Sequence, residues 1–67
     1  MELSERIAFL RESKGLKQYE IANALGVEPP NYSRLEKRGD KLSIEQIKAI
    51  ATALEVSLNE LLGLDAP

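Results

Sequence analysis

Neither cysteine nor histidine occurs in this 67-residue chain. Without cysteine there is no disulfide to staple the fold and no thiolate to hold a metal. Without histidine the commonest general base and the commonest metal ligand are both missing. No run approaches the roughly eighteen apolar residues of a membrane span, and no charged-then-apolar leader is seen. There is no glycine-rich phosphate loop, and the carboxylates are not clustered at metal-ligand spacing. Glu45, Glu55 and Glu60 are spread along two amphipathic segments and are expected to face water. Enzymatic activity, a cofactor, a metal and a membrane location are therefore not expected. With no repeat, low-complexity tract or linker, residues 1–67 read as one domain. Its core is expected from about Leu3 to Leu62, with a frayed tail ending at Pro67.

A chain this short buries only about 60% of the surface its unfolded form exposes. Its core supplies about 3–5 kcal/mol unless something else holds it. A helical fold with mostly local contacts suits so small a core.

The formal net charge is −2 and the sequence pI is about 5.1, which argues against a strong non-specific nucleic-acid binder. The charges are unevenly placed. The segment from Gly26 to Leu42 carries Arg34, Lys37, Arg38 and Lys41 against Glu28, Glu36 and Asp40. From Ser43 onward Lys48 stands alone against Glu45, Glu55, Glu60 and Asp65. A basic face away from an acidic C-terminal third is the expected arrangement.

Leu3, Ile7 and Leu10 recur at helical spacing and predict an amphipathic first helix, ended at Gly15 with Leu16 packing back. Phe9 falls off that stripe and is expected to cover an edge of the core. Ser43 and Gln46 match a capping box, followed by Ile44, Ile47, Ile50, Ala51 and Leu54 at helical spacing. Ser57 and Glu60 match a second box, opening a short last helix with Leu58, Leu61 and Leu62 that Gly63 closes. Between these lie Ile21, Ala22 and Leu25 on one helical face, a stop at Gly26, an apolar anchor at Val27, and Pro29-Pro30 opening another helix with Tyr32 and Leu35. Because the residue before a proline avoids α geometry, this third helix is expected to begin at Pro30. It is expected to end at Gly39, followed by a short polar loop. Two short helices around a glycine turn make a helix-turn-helix, and the whole predicts an all-α, five-helix domain.

Gln18, Ile21-Ala22, Leu25-Gly26-Val27, Ser33 and Glu36 resemble the phage-repressor and Cro-like helix-turn-helix proteins, over roughly Leu3 to Leu62. The resemblance implies a compact lambda-repressor-like fold whose third helix lies in the DNA major groove. It implies that Gln18 bonds a phosphate and that the base-reading positions fall at Pro29, Pro30, Ser33 and Arg34. Prolines make no hydrogen bonds to bases, so specificity is expected from Arg34 and Ser33, with Pro30 touching thymine methyl groups. Asn31 is expected at the DNA backbone or in a local cap. Lys37, Arg38 and Lys41 are expected beside the sugar-phosphate backbone, where cations give salt-dependent affinity. Lys17 departs from the family's usual Thr, Ser or Asn. It leaves the second helix either open to a phosphate or simply weaker at its start. Tyr32 stands where the family has a buried Ile or Val and is expected to pack in the core. Its hydroxyl then needs a partner, such as a phosphate or a solvent-facing edge. The resemblance further implies a partly buried ion pair between Arg11 and Glu36.

Two functions follow as expectations. One is a sequence-specific regulator on double-stranded DNA, cytoplasmic and nucleoid-associated in a bacterium or of phage origin. It would pair as a homodimer through the last helix and Leu64 on a pseudo-palindrome. The other is a protein-interaction module of the restriction-control or antitoxin kind, with a protein partner and weak DNA binding. The first is the leading expectation; the acidic pI, the paired prolines and the poor cap at Lys17 are the features on the side of the second.

Overall fold

A computed structural model describes residues 1–64, so the expected tail from Asp65 to Pro67 lies outside the described residues. Five helices follow one another: α1 Leu3–Ser13, α2 Gln18–Leu25, α3 Pro29–Arg38, α4 Ile44–Leu54 and α5 Leu58–Leu62. No strand occurs among the described residues. The polar loop after α3 is tighter than expected, being one 3₁₀ turn over Gly39–Lys41.

The apolar spacing of each helix sets which face it buries. Ile7, Ile21, Ala22, Tyr32, Leu42, Ile47, Ile50, Ala51, Leu54 and Leu61 form a single core. Fully burying an aliphatic side chain stabilises by about 1.5–3 kcal/mol, so these few side chains carry most of the fold. α2 packs on α3 and α4, while α1 packs on α5, α3 and the 3₁₀ turn. Ser43 accepts a bond from the Gln46 N–H, and the Gln46 side chain accepts one from the Ser43 N–H, a complete capping box. At α5 only the serine half forms, from the Glu60 N–H to Ser57. Arg6 holds the other end of α5, donating to the Glu60 carbonyl at 3.0 Å.

Besides the half-formed box at α5, three expectations need correction. Phe9 is 56% exposed and covers no core edge; it lies roughly 200° round α1 from buried Ile7. Ile44 is 55% exposed, because as the first residue of α4 it precedes the turn that meets the core. α3 begins at Pro29, not Pro30. Glu28 is extended and meets the pre-proline restriction for Pro29. The Asn31 and Tyr32 N–H groups both donate to the Glu28 carbonyl, at 2.9 and 3.0 Å. These bonds, with burial of Tyr32, draw Pro29 into the first turn, where it has no donor to lose.

Candidate nucleic-acid interface

The angle between α2 and α3 is set at Gly26. It takes φ 72 and ψ 29, a left-handed conformation that other residues adopt at a cost. The Val27 N–H then reaches back to the Ala22 carbonyl at 3.0 Å, and Val27 packs against the core. α3 leaves this turn with Tyr32 and Glu36 buried and Leu35 half-buried against the core. Its other side, with Pro29, Pro30, Asn31, Arg34, Lys37 and Arg38, is exposed, and Ser33 is half-buried at the margin.

A buried polar cluster holds α3 against the first two helices. Arg11 Nε donates to Glu36 Oε2 at 2.9 Å and Arg11 Nη2 to Glu36 Oε1 at 3.1 Å, a bidentate pair. Arg11 Nη1 donates to the Leu16 carbonyl at 2.9 Å. Gln18 Nε2 adds a third bond to Glu36, at 3.2 Å. Arg11 is 8% exposed and Glu36 5%, so both charges are withdrawn from water and satisfied by one another. Donating to the Glu36 carboxylate raises the Arg11 pKa above its ordinary value, against a smaller opposing effect of burial. One amide donor of Gln18 is thus engaged inside the protein, tying the start of α2 to α3.

Tyr32 sits beside this cluster with its side chain fully buried, as its expected core role requires. Its hydroxyl is closed off from solvent and lies beside the Glu36 carboxylate without reaching full hydrogen-bond geometry, which corrects the expectation of a phosphate or solvent-facing partner. The ring fills the core where the family has an aliphatic residue, and both Glu36 oxygens are already engaged by Arg11 and Gln18. Burial first, and then the neighbouring Glu36 carboxylate, push the phenol pKa well above its ordinary value.

At the N-terminus of α2 one backbone donor finds a partner that the sequence reading does not name. Lysine has no acceptor for the free N–H groups, yet Glu20 Oε1 accepts from the Lys17 N–H at 2.9 Å. Half a capping box therefore satisfies the Lys17 N–H, while no side chain caps the helical N–H groups that follow, so the open and the weaker start both stand. The Lys17-x-x-Glu20 spacing carries that signal. Lys17 itself is exposed.

Arg34, Lys37, Arg38 and Lys41 come together on an open groove of about 590 Å³ between the start of α1 and the end of α3. Glu2 and Asp40 are the acidic residues on its rim. Gly39 closes its floor: a Cβ there would stand 2.9 Å from the Ser4 backbone nitrogen, so only glycine allows the 3₁₀ turn to meet α1. Asn31 is neither capping nor free. Its Oδ1 accepts from Arg34 Nη1 at 2.7 Å, a bond that the i, i+3 spacing permits without requiring.

The helix-turn-helix family profile matches residues 7–61, spanning all five helices apart from the first turn of α1 and the last residue of α5. The chain belongs to the helix-turn-helix family. Among curated relatives, the HTH-type transcriptional regulator DdrOP3 of Deinococcus deserti is 32% identical over 62 residues, covering 92% of this chain and 48% of that protein. The cryptic phage CTXphi transcriptional repressor RstR of Vibrio cholerae serotype O1 is 32% identical over 63 residues, covering 94% of this chain and 56% of that protein. This helix-turn-helix chain thus spans about half the length of the curated relatives it matches. No solved structure matches. No helix among the described residues is long and apolar enough to cross a membrane.

Proposed function

We propose that this helix-turn-helix chain binds double-stranded DNA sequence-specifically and regulates transcription in the manner of the repressors it resembles. α3 enters the major groove, with Arg34 and Ser33 reading base edges and Pro30 against thymine methyl groups. Lys17, Gln18, Lys37, Arg38 and Lys41 lie along the sugar-phosphate backbone and position the helix. The observation that carries this reading is the outer side of α3. On a protein of net charge −2 it exposes Arg34, Lys37 and Arg38 together, and Lys41 joins them on one groove. A single helix reads a short half-site, so two subunits bind a pseudo-palindrome with half-sites about 34–36 Å apart. Leu61 is buried in the subunit's own core, which leaves Leu64, 67% exposed, and the edges of Leu58 and Leu62 for that pairing. Work of this kind belongs in the cytoplasm, at a bacterial or phage genome.

Selection from a random duplex library, followed by anisotropy titrations between about 50 and 200 mM salt, tests the reading. Replacing Arg34, Lys37 and Arg38 by Ala should lower the salt slope by about 0.9 for each phosphate that is no longer neutralised. The acidity of the whole chain supports a second reading, a module whose main partner is a protein. Failure to bind any duplex at low salt would leave that reading standing and remove the first.

A further inference from the structure

Arg34 lines the cationic groove and also meets Asn31, which sets how its guanidinium is turned. Lys37 and Arg38 follow it at i+3 and i+4, on the same side of α3, where like charges repel. The cationic groove that all three line is a phosphate-type environment in which an arginine carries no sequence information. Asn31 lies three residues toward the N-terminus, nearer the tip that Pro29 and Pro30 form. Its Oδ1 accepts from Arg34 Nη1 at 2.7 Å and draws the guanidinium toward that tip.

The tip has a further property. Neither proline has an N–H, and the N–H groups of Asn31 and Tyr32 are taken by the Glu28 carbonyl. The first turn of α3 therefore offers no free backbone donor to a base or a phosphate. Any hydrogen bonding to base edges there must come from side chains, and Arg34 is the long donor that reaches it. A guanidinium has five N–H donors in a rigid fork. With one Nη1 hydrogen engaged by Asn31, the edge formed by Nε and Nη2 stays free, and two parallel donors are what guanine O6 and N7 require.

We infer that Asn31 is a specificity-determining positioning residue: it turns the guanidinium of Arg34, at the edge of the cationic groove, toward the donor-free tip of α3 for bidentate recognition of a guanine. The inference rests on the DNA-binding reading above and replaces the expectation that Asn31 meets the backbone. In water the bond between two exposed side chains contributes little. At a desolvated groove it fixes which of two partners the arginine meets, base or phosphate, and so acts on discrimination more than on affinity.

The experiment compares duplex selection profiles and salt titrations for the unaltered chain, Arg34→Ala, Asn31→Ala and Asn31→Asp, each checked for folding by circular dichroism. The unaltered chain should prefer guanine at one half-site position by roughly ten- to a hundredfold, as a bidentate pair allows. Arg34→Ala should flatten that position. Asn31→Ala should flatten the same position while affinity for unrelated duplex stays within about twofold and the salt slope is unchanged. Asn31→Asp keeps the acceptor and should keep the guanine preference, at lower overall affinity because of its charge. Retained preference in Asn31→Ala overturns the inference and leaves DNA reading intact. A uniform loss of affinity with a shallower salt slope in Asn31→Ala also overturns it, making Asn31 a phosphate contact. Absence of duplex binding, or an Arg34→Ala profile identical to that of the unaltered chain, overturns the base-reading account and this inference together.

Discussion

Replacing Arg11 by Met and Glu36 by Leu, singly and together, asks what holds α3 in place. Each single change leaves one charge buried without its partner, because Arg11 and Glu36 are only 8% and 5% exposed. The cost is about 3–5 kcal/mol. A domain of this size has roughly 3–10 kcal/mol in total, at about 0.05–0.15 per residue. Either single variant should therefore be largely unfolded at room temperature, or melt far below the parent. The double variant replaces both charges with apolar groups of similar size, and such replacements are neutral to stabilising by about 1–4 kcal/mol. It should be more stable than either single variant although it carries both changes. Gln18→Ala keeps both charges and removes only the third donor to Glu36, so it should stay folded and lose about 1 kcal/mol. Urea unfolding followed by circular dichroism reads all four. Additive costs, or single losses below about 1 kcal/mol as at a solvent-exposed pair, would refute the argument.

Other perturbations test single features of the fold. Tyr32→Phe removes a buried hydroxyl that has no partner and should stabilise by about 1 kcal/mol. Because the folded-state pKa of Tyr32 lies above its ordinary value, the folded chain keeps the phenol proton after the unfolded chain begins to lose it, at about pH 10. Above that, parent stability should fall relative to Tyr32→Phe by about 1.4 kcal/mol per pH unit, and parallel curves in urea melts would contradict this. Gly39→Ala should cost more than about 2 kcal/mol, since φ 56 and ψ −116 lie outside the left-handed helical well that other residues tolerate and the new Cβ also meets Ser4 at 2.9 Å. Gly26→Ala, with nothing within 4 Å, should cost only the roughly 1–2 kcal/mol of a left-handed backbone. Equal losses in their thermal melts would mean that the contact with α1 is unimportant. Glu55 ends α4 at φ 58 without being glycine, so Glu55→Gly should raise stability by about 0.5–1 kcal/mol in the same assay.

Much of the site is legible in the residue order because its cues are local. A glycine stop, an apolar residue after it, prolines at a helix start and a serine box are each decided within four residues. Where the residue order misleads, the cue is weak or distant. Lys17 reads as an unprotected helix start, but Glu20 bonds back to it. Pro29 reads as excluded by a two-residue rule, but two hydrogen bonds to Glu28 and the burial of Tyr32 outweigh that rule. Spacing places Ile44 on the core stripe and Phe9 off it, at an expected edge of the core, but both are exposed because exposure depends on where neighbouring helices lie, and spacing does not contain that.

Residue order alone determined that this chain makes helices, where most of them start and stop, and that α2 and α3 meet at Gly26, because capping, propensity and periodicity act over a few residues. Tertiary packing decided the rest. It brought Arg11, Gln18 and Glu36 from three helices to one buried point, closed Gly39 on Ser4, left the Tyr32 hydroxyl without a partner, and gathered four cations on one groove. Such meetings depend on how helices dock, and docking is set by shape and burial across the whole core at once.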